Sequence, residues 1–205
     1  IYSKNIKRYS LIIILILYVV VFFFMNWYYD EIKSYIGKRK YYFLYTLIEY
    51  STLTYIFYYY LKYRWIRKSI FLLSLLFVSF LIIYFYYYNI KRLDSFPIGV
   101  ESILLLIYVV LYFYFSLKEV TNETIIEKSS FWLALGVLVY IAFTFFFNIL
   151  AGSINPEIGM KYFHYSYLGD ILKNILFAVG IYYLSKEAIS VPKKDPDKVP
   201  FLDMY

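Results

Sequence analysis

Six long apolar stretches, each bounded by charged or loop-forming residues, account for most of this chain. They run over Ser10–Tyr29, Tyr41–Leu61, Ser69–Asn89, Pro97–Leu117, Ser130–Ala151 and His164–Ser185. About 20 apolar residues at about 1.5 Å rise match a hydrocarbon layer about 30 Å thick. Lipid offers no hydrogen bonds, so each stretch must satisfy its own backbone as an α-helix. The pattern predicts an all-α fold, a polytopic membrane helical bundle with six transmembrane helices over residues 1–187. Ile1-Tyr2 and the basic run that follows are expected to be the inner end of a further, seventh helix ahead of residue 1.

The polar connections are short, about 7 to 12 residues, so neighbouring helices must form antiparallel hairpins. Lys and Arg alternate unevenly across them: thirteen on the side of the N-terminal stub, Lys62–Lys68, Lys118–Lys128 and the C-terminal tail, and seven on the other. Without the three distal tail lysines the bias is ten to seven. The positive-inside tendency therefore predicts that both ends of the chain are cytoplasmic. Trp27, Trp65 and Trp132 stand at predicted span ends or in connections, where an aromatic belt belongs. Residues 188–205 differ from the rest. Pro192, Pro196 and Pro200 prevent a regular helix. This Pro-rich cytoplasmic tail is expected to dock on a partner, or on the bundle, through Pro200, Phe201, Leu202, Met204 and Tyr205.

Composition agrees with a membrane solvent: 62% of residues are hydrophobic, with 29 Tyr and 20 Phe, and the mean hydropathy is +0.61. A net charge of +7 is explained by the basic connections, so no nucleic-acid partner is expected. The absence of cysteine excludes disulfides, thiolate metal sites and cysteine nucleophiles. A single histidine and the lack of phosphate-binding or nucleophile motifs argue against an enzyme, a resident metal or a cofactor.

Chemistry is left to a few polar residues inside the spans. Glu49, Glu101, Asp170 and Lys173 are costly at membrane depth and belong on the bundle interior. Each acid precedes an apolar aromatic run that ends in lysine, which suggests a weakly repeated hairpin. Asp170, Lys173, Asn174 and Phe177 share one face of the last span, and Asp170 and Lys173 can neutralise each other. Gly136, Tyr140, Thr144 and Asn148 form a stripe of small and hydrogen-bonding residues in the fifth. Glu49, Glu101, Asp170, Lys173, Asn174, Asn148 and Tyr140 are thus the candidates for a ligand- or ion-binding pocket. The plainer alternative places the acids near the outer interface, reached by water and by Arg92 or Lys40, where they only fix helix packing.

Tyr45-Thr-Leu-Ile-Glu-Tyr50, Val100-Glu-Ser-Ile-Leu104, Ser130-Phe-Trp-Leu133 and Leu172-Lys-Asn-Ile-Leu-Phe-Ala178 together carry a further signal. In these motifs, residues 1 to about 187 resemble a bacterial family of inner-membrane proteins with six to seven spans. The resemblance implies a multi-pass protein of the bacterial inner membrane. It implies no particular activity; its association with sensor kinases points to signalling. The expected function is a non-enzymatic sensor, or an accessory or assembly subunit of a larger inner-membrane complex, with the lipid bilayer and other membrane subunits as partners. The alternatives are a small-molecule or ion transporter using the intramembrane carboxylates, and a membrane-embedded lipid-processing enzyme.

Overall fold

A computed structural model describes residues 2–87, 95–118, 124–153 and 166–189. The expectations placed on the tail, including Pro200 to Tyr205, fall outside these residues, as does Arg92. Within them the fold is all-α. Seven helices follow one another: α1 (Tyr2–Trp27), α2 (Tyr29–Ile36), α3 (Lys38–Tyr60), α4 (Arg64–Tyr87), α5 (Ser95–Lys118), α6 (Ser129–Ser153) and α7 (Ser166–Ile189). A single 3-10 turn, Ile125–Glu127, leads into α6.

Helix α3 is the hub, touching α1, α2, α4, α5 and α6. It is the least apolar of the long helices, with eight tyrosines among its 23 residues and Lys-Arg-Lys at its start. Tyr50 among them finds hydroxyl partners inside the bundle, Ser74 at 3.1 Å and Tyr108 at 3.2 Å. The outer helices instead present one packed face. On α1 that face is Leu11, Leu15, Tyr18 and Phe22; on α4 it is Ile66, Ile70, Phe77, Leu81 and Phe85. Their spacings of three, four and seven set them on one side of a helix. The opposite side is apolar as well, for example Phe71, Leu72, Leu75, Leu76, Ile82 and Ile83 of α4, all exposed.

Four helical stretches are long and apolar enough to cross a membrane: Arg8–Trp27, Arg64–Tyr87, Phe96–Lys118 and Tyr167–Ile189. Ser129–Phe145 is a shorter apolar helix among the described residues. Of the six expected spans, the second is therefore a helix without being an apolar one. Its tyrosines and basic start lower its hydropathy, and its central place shelters them.

One expected loop is a helix. The stretch 30–40 contains α2, which carries Asp30 and Glu31 in its first turn, where the helix dipole favours negative charge. Gly37 separates α2 from α3 with φ +87°, a conformation that side chains rarely adopt. Tyr41 Oη donates to the Met25 carbonyl at 3.1 Å and Tyr29 bonds Tyr42 at 2.7 Å, so this corner is tied to both long helices.

Helices α6 and α7 make the most extensive contact of the fold. Glycine permits it. A Cβ on Gly136 would stand 2.9 Å from the Phe177 ring, one on Gly169 would stand 2.6 Å from Phe143 Cβ, and one on Gly180 would stand 2.8 Å from Leu133. At the end of the bundle bearing the start of α1, Arg8 pairs with Glu187 at 3.9 Å and also donates to its carbonyl. The Glu187 carboxylate accepts the Ser129 backbone N–H at 2.8 Å, capping α6 from the last helix. Tyr60 joins the same point through Ser129 Oγ at 2.9 Å.

Candidate functional site

Near mid-length of α1, α3 and α6, the apolar packing gives way to a charged centre. Lys173 is 1% exposed. It reaches inward from the first half of α7, and its ammonium group donates to Asp170 Oδ1 at 2.8 Å, to Tyr18 Oη at 2.8 Å and to Glu49 Oε1 at 3.4 Å. Tyr18 in turn donates to Glu49 Oε1 at 3.3 Å. The ring of Tyr140 from α6 lies under the ammonium, 3.9 Å from centroid to nitrogen. Four helices thus converge on one cation. Such an arrangement stands in a low-dielectric interior only because each charge has a partner and each donor an acceptor.

Glu49 is held at mid-length of α3 by the buried face Thr46, Glu49, Tyr50, Leu53, which repeats at helical spacing. Asp170 and Lys173 meet within α7 because three residues separate them, one helical turn. The two acids differ in surroundings: Glu49 is buried, whereas the Asp170 side chain is 30% exposed. Glu101 of α5 is buried too, close enough to feel the charges of Glu49 and Lys173. Its Oε1 has no hydrogen-bond partner among the described residues.

Beside the charged centre, a cleft of about 350 Å³ runs between α1 and α7. Tyr18, Phe22, Phe23, Asn26 and Trp27 form one wall; Asp170, Lys173 and Asn174 form the other. Trp27 and Phe23 stack at 5.8 Å between centroids. Among the described residues there is no group of His, Asp and Glu side chains suited to a metal ion.

The sequence-based candidates therefore separate. Glu49, Lys173, Asp170 and Tyr140 come together, Glu101 stands close by, and Asn174 faces the cleft. Thr144 donates to the Tyr140 carbonyl within its own helix at 2.8 Å. Asn148 belongs to α6, and its side chain lies outside the described residues. Glu49 and Glu101 are 3% and 4% exposed, which does not fit the plainer alternative of acids at a wet interface. Tyr18 was not anticipated. Only its four-residue spacing from the buried Phe22 marks it, and 28 other tyrosines dilute that signal.

Comparison with known proteins returns no match: no family model, no curated protein and no solved structure is significantly similar to this chain.

Proposed function

We propose that this chain is a multi-pass protein of a bacterial inner membrane, with six spans and both ends in the cytoplasm. In this proposal it serves, without catalysing a reaction, as a sensor or accessory subunit of a larger membrane complex. The carrying observation is the charged centre itself, in which one ammonium ties α1 and α7 to the hub helix α3 beside an open cleft. A group that binds in the cleft touches Asp170, and through Lys173 it bears on three other helices. That is how a receptor couples occupancy to helix packing.

The membrane placement is supported by four long apolar helices and by outer faces that remain apolar where they are exposed. Water solvates such faces poorly; acyl chains solvate them well. Trp27 and Trp65 are exposed at the ends of α1 and α4, which is where spanning helices carry interfacial tryptophans. Membership of the six-to-seven-span family is proposed on the motifs around Glu49, Glu101, Trp132 and Lys173. Three of those four residues lie in or beside the charged centre.

A second function, passage of protons or cations, is favoured by Glu101, whose buried carboxyl has an oxygen without a partner among the described residues. One experiment separates the two. The 24.9 kDa chain is extracted in mild detergent, sized, and also reconstituted in vesicles with a pH-sensitive dye. The first function predicts an assembly with the same membrane proteins in independent preparations, and no flux. A monomer whose proton flux disappears on Glu101→Gln would replace it with the second.

A further inference from the structure

The cleft between α1 and α7 has a chemistry of its own, set by what the charged centre has already used. An ammonium carries three N–H groups. Those of Lys173 go to Asp170, Tyr18 and Glu49, and the Tyr18 hydroxyl, accepting one of them, donates its own hydrogen to Glu49. Lys173 thus lines the cleft while having no donor left for an anion. Two carboxylates meet this one ammonium, so no excess of positive charge faces the cleft. The partly exposed member is Asp170, on the cleft wall. Around it stand the Asn26 and Asn174 amides and the faces of Phe22, Phe23 and Trp27. A carboxylate among aromatic rings and amides is complementary to an ammonium group on an apolar body.

We propose, resting on the membrane placement above, that this cleft binds an amphiphilic organic cation, with its ammonium on Asp170 and its apolar part along Phe22, Phe23 and Trp27. The exposure of the cleft supports entry from the side. Asn174 is exposed on the outer surface of the bundle within the apolar stretch Tyr167–Ile189, and Asn26 is exposed beside Trp27 at the end of α1. Left to acyl chains alone the Asn174 amide would be unfavourably placed, and an occupant that brings hydrogen-bond donors satisfies it. Two sources share this chemistry: a lipid with an ammonium headgroup, and a free amphiphilic amine.

Trp27 is one of three tryptophans and lines the cleft, so the Trp65→Phe/Trp132→Phe protein has a single reporter at the site. Reconstituted in phosphatidylglycerol vesicles, it is titrated with a bromine-bearing alkylammonium and with the chain-matched alkyl sulfate. Saturable quenching by the ammonium alone is expected. Asp170→Asn should weaken it about tenfold or more, the loss of one charge-assisted hydrogen bond, while Asp170→Glu keeps it. In a second arm, brominated phosphatidylethanolamine and brominated phosphatidylglycerol are compared as host lipids. Preferential quenching by the former identifies a lipid headgroup as the source, and equal quenching, with the alkylammonium still saturable, identifies a free amine. Should Asp170→Asn fail to fold, Asn174→Leu at the exposed wall position takes its place, with weakened quenching expected. Equal quenching by ammonium and sulfate, or saturation unchanged in the wall variant, overturns the proposal. Alkaline washing of the vesicles tests the membrane placement separately, because protein retained there without saturable quenching by the alkylammonium counts against the cleft alone.

Discussion

A lysine side chain sealed inside apolar packing is stable only as part of a neutralised group. Lys173→Met removes the cation from Glu49, Asp170 and Tyr18 together and leaves the Glu49 carboxylate buried without its counter-charge. A loss of about 3–5 kcal/mol is expected, the range for breaking one side of a buried pair. It should appear as a lowered thermal midpoint in detergent. The double variant Lys173→Met/Glu49→Gln should recover part of it, since a neutral amide costs less to bury than an unpaired charge. If the single variant unfolds at the parent temperature, the ammonium is not what holds these helices. The sequence was half legible at this scale. Asp170 and Lys173 declare themselves by their three-residue spacing, and an acid in an apolar run must turn inward, which places Glu49 and Glu101. Tyr18 gives no such sign: its hydroxyl matters because α1 happens to pass the charged centre, and periodicity within one helix cannot report on its neighbours.

At the level of helices, the pairing of α6 with α7 rests on residues without side chains. Gly169→Ala would set a methyl group 2.6 Å from Phe143 Cβ, a fixed atom that can yield only if the two helices part. A loss of about 1–3 kcal/mol is expected, the usual cost of overpacking. Gly99→Ala, where nothing lies within 4 Å, should be neutral or slightly stabilising. Thermal unfolding of the two variants side by side checks the contrast, and equal midpoints would contradict it. Long apolar runs made most helix positions readable within a few residues of their ends. Two elements were not so plain. The charges of Asp30–Lys40 read as a loop, yet their order, acids first and Lys33 in the last turn, suits the short helix α2. Helix α3 read as a membrane span like the others, although its tyrosines suit the middle of a bundle, where hydroxyls such as that of Tyr50 find partners.

For the molecule as a whole, the alternation of helices places the α2 corner and the α3–α4 connection at opposite ends. Tyr35 on α2 is 91% exposed, and Lys62 between α3 and α4 is exposed as well. Because the chain has no cysteine, Tyr35→Cys and Lys62→Cys each carry the only thiol. A membrane-impermeant maleimide added to intact cells should label the first and spare the second until the membrane is opened. Labelling of both from outside would refute the proposed orientation.

The Arg8–Glu187 link has a mechanical meaning for the pair of helices it joins. It closes α1 on α7 at one end, while further along the same two helices are joined again through Lys173 and Tyr18 and flank the cleft lined by Asp170 and Trp27. They are arranged like tongs with the rivet at the end that bears the start of α1. Whatever spreads the jaws must either swing the two helices about that rivet or pull it out, and pulling it out also frees the first backbone N–H of α6 from Glu187.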